Sequence, residues 1–121
     1  MKKKHLSDLK SVAIDDRDSL LYEIAGPSSE FRYPDFSIAK IVLKPGAVEM
    51  NHYHNESEEI YLFTSGKGLM QVDRQGINVA EDDMIVIQSG EWHYLTVVGD
   101  EALEFFAIMK PAFSQDDYYT K

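Results

Sequence analysis

The chain contains no cysteine. Disulfides, thiolate nucleophiles and cysteine-held zinc or iron–sulfur groups are thereby excluded, so any metal must be held by imidazole and carboxylate. Basic residues are scarce as well: 12 Lys and Arg stand against 21 Asp and Glu, a formal net charge of -9 over 121 residues. Nucleic acids and anionic membrane surfaces require a basic face, so neither is expected as a partner. Long apolar runs are also missing. Stretches such as Met84-Ile85-Val86-Ile87 fall far short of the roughly 20 residues a membrane-spanning helix needs. The start, Met1-Lys2-Lys3-Lys4-His5, carries the charge of a signal peptide's basic region. Asp8, Lys10, Asp15 and Asp16 interrupt the apolar stretch that should follow, so a cytoplasmic location is expected.

What is present suffices for one packed domain. The sequence is 44% hydrophobic and 12% aromatic, enough to bury a core. Residues 1–19 are polar and read as a lead-in, with at most one short strand or helical turn. From Leu20 onward short apolar runs alternate with turn signals, which is the all-β pattern. The predicted strands are Leu20–Ile24, Ser37–Leu43, Met50–His54, Glu59–Thr64, Leu69–Val72, Ile77–Val79, Met84–Ile87, Tyr94–Val98 and Leu103–Met109. Gly26-Pro27, Pro45-Gly46, Ser65-Gly66-Lys67-Gly68, Arg74-Gln75-Gly76, Ser89-Gly90 and Gly99-Asp100 punctuate them. So many short strands predict a closed barrel or jelly roll over residues 20–113, since closure removes exposed edges. Residues 114–121 are polar and read as a tail.

Four histidines occur, and His52, His54 and His93 define the candidate site. His52 and His54 stand at i and i+2 on a predicted strand, so both side chains leave the same face, roughly 6.6 Å apart at Cα. Glu59 opens the next strand after the polar connection Asn55-Glu56-Ser57-Glu58. His93, on a later strand, is the natural fourth ligand. Nitrogen and oxygen donors of this kind suit one divalent transition metal ion: iron, manganese, nickel, cobalt or zinc.

The spacing carries a family resemblance. Gly46, His52, His54, Glu59 and Gly66 fill every fixed position of G-x5-H-x-H-x4-E-x6-G, the first motif of the cupin superfamily. The second motif, G-x5-P-x-G-x2-H-x3-N, is matched at Gly90 and His93. Asp82, Gln88 and Val97 replace its usual glycine, proline and asparagine. The 15 residues between the motifs, 67–81, resemble the short gap of compact single-domain bacterial cupins. The resemblance spans roughly Ile38 to Met109. It implies a double-stranded β-helix (jelly-roll) barrel, one metal ion on His52, His54, Glu59 and His93, and a homodimer in which the lead-in is exchanged with a partner subunit.

Period-two alternation sorts the neighbours. With Glu59 inward, Tyr61 and Phe63 also line the interior; with His52 and His54 inward, Met50 does too; from His93, Leu95 and Val97 follow. A metal nearby favours a lowered phenol pKa, so Tyr61 is the candidate catalytic residue, as acid/base or as hydrogen-bond donor to substrate. The alternative is that Tyr61 packs the barrel. Trp92 reads as a packing residue or a cap on the pocket mouth. Glu81-Asp82-Asp83 reads as a solvated turn. Lys40, if inward, would hold a substrate carboxylate.

A metal-dependent enzyme acting on a small, oxygen-rich metabolite of carboxylate, enediol or sugar type is therefore expected, working by dioxygenation or by isomerase or lyase proton chemistry. The alternative is a non-catalytic, metal-containing module that binds a sugar or effector. In either case the purified protein should carry close to one equivalent of a divalent metal, and the variant His52→Ala/His54→Ala should carry none. Elemental analysis checks this, and a wild-type protein as empty as the variant would defeat the ligand assignment.

Overall fold

The computed structural model describes residues 1–14 and 19–120. Among them there is no α-helix; twelve strands and two short 3-10 turns, Leu6–Asp8 and Gln115–Asp117, make up the regular structure. The strands are β1 (Ser11–Ile14), β2 (Ser19–Gly26), β3 (Phe31–Arg32), β4 (Ser37–Leu43), β5 (His52–His54), β6 (Glu58–Ser65), β7 (Lys67–Val72), β8 (Gln75–Ala80), β9 (Met84–Ile87), β10 (His93–Val98), β11 (Leu103–Lys110) and β12 (Tyr118–Thr120).

They form two sheets. The larger runs β1-β2-β4-β11-β6-β9, with β3 beside β2; the smaller runs β12-β5-β10-β7-β8. The pairings are antiparallel except for β3 on β2. This is the all-β jelly-roll barrel that the strand pattern predicts. Leu103–Met109, which taken alone also suits a helix, is strand because β4 and β6 pair it on both sides.

Alternation decides what lies inside. Along β6, Glu59, Tyr61 and Phe63 are buried while Glu58 and Ile60 are exposed. Phe63 opposes Phe105 and Tyr61 opposes Ala107 on β11, so inward residues meet inward residues. Phe63, Phe105, Leu103, Met70 and Leu95 have no exposed surface. Each contributes about 2–3 kcal/mol relative to exposure, which makes this apolar plug the rigid floor beneath the site. Leu95 and Val97 face inward as expected.

Lys40 settles on the outer face. It is in register with Phe106, ion-pairs with Glu104 at 3.4 Å and lies 4.7 Å from the Phe106 ring centroid. Its neighbour Ile41 takes the inward position, so Lys40 holds no ligand within the barrel. The acidic turn is structural: Asp83 Oδ2 accepts the Ala80 N–H at 2.8 Å.

The lead-in holds the short strand allowed for it, and the C-terminal stretch carries more structure than its polarity predicts. Part of the lead-in, β1, pairs with β2; Asp15 and Asp16 lie outside the described residues. Within 114–121, expected to be only a tail, the turn Gln115–Asp117 leads into strand β12, which joins the smaller sheet against β5.

The corner between the sheets is Gly66, which links β6 to β7. Its φ is +85°, and a Cβ there would collide with the Ala102 carbonyl oxygen. Strain at φ and a collision with rigid backbone act together, so Gly66→Ala should lower stability by about 2–4 kcal/mol in denaturant unfolding.

Candidate metal centre

Four side chains from three strands point one ligand atom each at a common centre. His52 and His54 come from β5, Glu59 from β6 and His93 from β10, and these atoms all lie within 4.8 Å of one another. All four residues are buried, His93 at 1% exposure and His52 at 7%. The strand β5 brings its two histidines to the interior because they are two residues apart. The register His93↔His52 then sets β10 directly beside them.

Each imidazole has one nitrogen committed elsewhere. Nδ1 of His52 lies 2.8 Å from the Met50 carbonyl, Nδ1 of His93 lies 2.9 Å from that of Glu91, and Nδ1 of His54 lies 3.1 Å from that of Asp117. A carbonyl oxygen only accepts, so each Nδ1 carries a hydrogen, which leaves each Nε2 facing inward to offer a lone pair to a metal once it holds no proton. Backbone anchoring of the outer nitrogen is how metal-binding histidines are oriented.

At the centre, Glu59 Oε1 lies 3.0 Å from His54 Nε2 and 3.1 Å from His93 Nε2. Lone pairs and a carboxylate this close repel one another unless a proton or a metal cation lies among them. Neighbouring donors around an ion with bonds of about 2.1 Å are themselves about 3 Å apart. The donor set and its spacing therefore suit a metal ion.

The electrostatics agree. Burial, then the neighbouring His93, lowers the pKa of His52 to about 4, so its nitrogen is free to ligate at neutral pH. Burial pushes the Glu59 carboxyl up, but hydrogen bonds from His54 and His93 outweigh it and hold the pKa at about 2. For His54, burial works against the charged form and is overcome by Glu59 and by the Asp117 carbonyl, so its pKa rises above 6.5.

Tyr61 stands beside this group, its ring centroid 6.1 Å from that of His93 and 4.7 Å from that of Phe105. Burial and then the Glu59 charge push its pKa well above the usual phenol value, so in the metal-free cluster it remains protonated. Trp92 packs edge-on against Tyr53 at 4.7 Å. Met50, expected to face inward, is 51% exposed. Strict alternation fails because β5 begins only at His52; one residue earlier in the chain than Met50, Glu49 is buried instead, and its carboxylate accepts the Leu95 N–H.

Sequence reasoning also missed what covers the ligands. The Tyr118 ring lies 5.1 Å from His52 and 5.8 Å from His54, and Phe113 lies 6.1 Å from His54. The aromatic content of residues 113–119 was the available signal.

A small antiparallel barrel enclosing three histidines and a glutamate defines the class. The Cupin domain family model matches residues 39–109, and the chain belongs to that family. A glucose-6-phosphate isomerase of Pyrococcus furiosus is 31% identical over 97% of this chain and 73% of its own length. An uncharacterized protein of Methanocaldococcus jannaschii is 31% identical over 67% of this chain, which spans 65% of that relative. An oxalate-binding protein of Thermotoga maritima is 30% identical over 59% of each. Among solved structures, the nucleoside dehydratase Pac13 superimposes with a TM-score of 0.78 at 15% identity, covering 100% of this chain and 91% of that one. Lactobacillus farciminis oxalate decarboxylase does so at 0.78 with 26% identity, over 96% of this chain and 34% of that one.

The shifted histidines give the metal-free protein a defined pH profile. His52 has a folded pKa below its ordinary value, so its contribution is present above pH 6.5 and lost as pH falls towards about 4. His54 has a raised pKa, so its contribution is present below pH 6.5 and lost as pH rises through the folded value. Stability of the metal-free protein should therefore peak near neutrality. The fall on the acid side should be on the order of 3 kcal/mol from His52. Urea unfolding across the range checks this, and excess divalent metal should flatten the alkaline side.

Proposed function

We propose that the protein is a metal-dependent enzyme acting on a small oxygen-rich metabolite, a sugar derivative or hydroxy acid, by isomerase or lyase proton transfer. The convergence of three Nε2 lone pairs and the Glu59 carboxylate on one buried point carries this reading. A bound divalent ion supplies Lewis acidity towards substrate oxygens. His52, His54, Glu59 and His93 hold it. Three neutral imidazoles and a single carboxylate leave a net positive centre, which favours an anionic or polyhydroxylated ligand. Tyr61, whose ring stands beside His93, serves as the hydrogen-bond donor and proton source beside that ligand.

Similarity to glucose-6-phosphate isomerases across nearly the whole chain supports proton transfer over dioxygenation. The likeness to an oxalate-binding protein favours a second reading, a site that binds an oxygen-rich anion without turnover.

Metal-loaded protein, screened against sugar phosphates and hydroxy acids in heavy water, should move deuterium into a substrate C–H bond without consuming oxygen. Substitution Tyr61→Phe should slow the exchange about 100-fold or more while leaving the metal content intact. Oxygen uptake coupled to substrate loss would point instead to dioxygenation. Tight binding without exchange would support the binding module, and a fully active Tyr61→Phe would return Tyr61 to a packing role.

A further inference from the structure

Strand β5 carries two of the four ligands, yet it is only three residues long and is in register with β10 at a single pair, His93↔His52. Its other edge is paired along its whole length by β12: Tyr118↔His54, Tyr119↔Tyr53 and Thr120↔His52. The strand that presents His52 and His54 is thus supported mainly by a segment outside the cupin motif region.

Asp117 begins that support and makes two kinds of contact. Its carboxylate accepts the backbone N–H of Asn55 at 3.0 Å, of Glu56 at 3.1 Å to each oxygen, and of Ser57 at 3.2 Å. Those residues form the connection between His54 and Glu59, so the carboxylate fixes how far apart these two ligands sit. Its main-chain carbonyl accepts from His54 Nδ1 at 3.1 Å, which sets the ring's tautomer and direction. The residue is 8% exposed, and the same connection is tied down further by Ser57 Oγ on the Pro111 carbonyl at 2.8 Å. Three consecutive backbone N–H groups on one buried carboxylate exceed what a solvated surface turn needs. They immobilise a loop whose two ends are ligands.

We propose that Asp117 is a positioning residue of the metal centre, holding His54 and the His54–Glu59 connection in ligating geometry from outside the ligand shell. The proposal rests on the reading of the four residues as metal ligands, and it deepens that reading by tying metal affinity to residues 114–120. Groups that orient ligands in this way typically govern affinity by about 10–100-fold.

The test compares wild type with Asp117→Ala and with the isosteric Asp117→Asn, which keeps one acceptor oxygen but turns an amide N–H towards the loop. Two measurements are made on each. Titration with Co²⁺, read by its visible absorption, should show about 10–100-fold weaker binding and an altered band shape in Asp117→Ala, with Asp117→Asn in between. In the metal-free proteins, at a pH where His54 is neutral, imidazole ¹H–¹⁵N spectra should show His54 in a single Nδ1–H tautomer in wild type and in a mixture in Asp117→Ala. In that variant the main-chain carbonyl of residue 117 is no longer held in place by the carboxylate's bonds to the loop. His52 and His93, held by the carbonyls of Met50 and Glu91, should be unchanged. General loss of stability would not select one histidine of three. Wild-type Co²⁺ affinity and spectrum in both variants, together with an unaltered His54 tautomer, would overturn the proposal. If wild type takes up no Co²⁺, the metal reading fails by itself, and the His54 tautomer in the metal-free variants still decides whether Asp117 positions the ring.

Discussion

Three main-chain carbonyls, those of Met50, Glu91 and Asp117, determine what the centre of this protein can do. Each accepts a hydrogen from the outer nitrogen of a different imidazole, and each thereby turns a lone pair inward. Without that commitment the histidines would sample two tautomers and several ring orientations. The cluster would then be a set of buried polar groups with no common focus. The carbonyls in turn sit where the sheets place them, so the geometry of the centre is a property of backbone registry more than of the side chains themselves.

The barrel serves that registry. Apolar residues on the inner faces of β6, β10 and β11 lock these strands to a plug of fully buried Phe63, Phe105, Leu95 and Leu103. Glu59 and His93 are the polar continuation of the same inward rows, two positions from Tyr61 and Leu95. Packing that would be felt if a single methylene changed therefore holds the carboxylate and one imidazole in place. The other two imidazoles rest on a thinner support, a three-residue strand between β10 and β12. The site combines a stiff half with a half whose rigidity comes from hydrogen bonds to residues 114–120.

Much of this was legible in the sequence because period-two alternation and local spacing survive without tertiary context. His52, His54, Glu59, Tyr61 and Phe63 point where alternation sends them, and Ser37–Leu43 and Met84–Ile87 begin and end at the punctuated positions. Met50 was misjudged because the chain leaves regular alternation just before β5, so that burial falls on positions 49 and 52. Asp117 and β12 were invisible for a different reason. A polar stretch acquires order when its carboxylate finds a loop sixty residues earlier, and no local pattern encodes that meeting. Lys40 required knowledge of strand pairing before its face was decided.

The distance along the chain between the centre and its support shapes how the protein comes to be. Ser57 and Asp117 are separated by 60 positions, and His54 reaches the same residue across 63. Closing so long a loop is entropically slow relative to forming the β7–β8 hairpin. During synthesis the strands bearing all four ligands emerge before the segment that orients His54. The direction of His54 is therefore fixed last, and an ion arriving before residues 114–120 are in place would meet a looser set of donors.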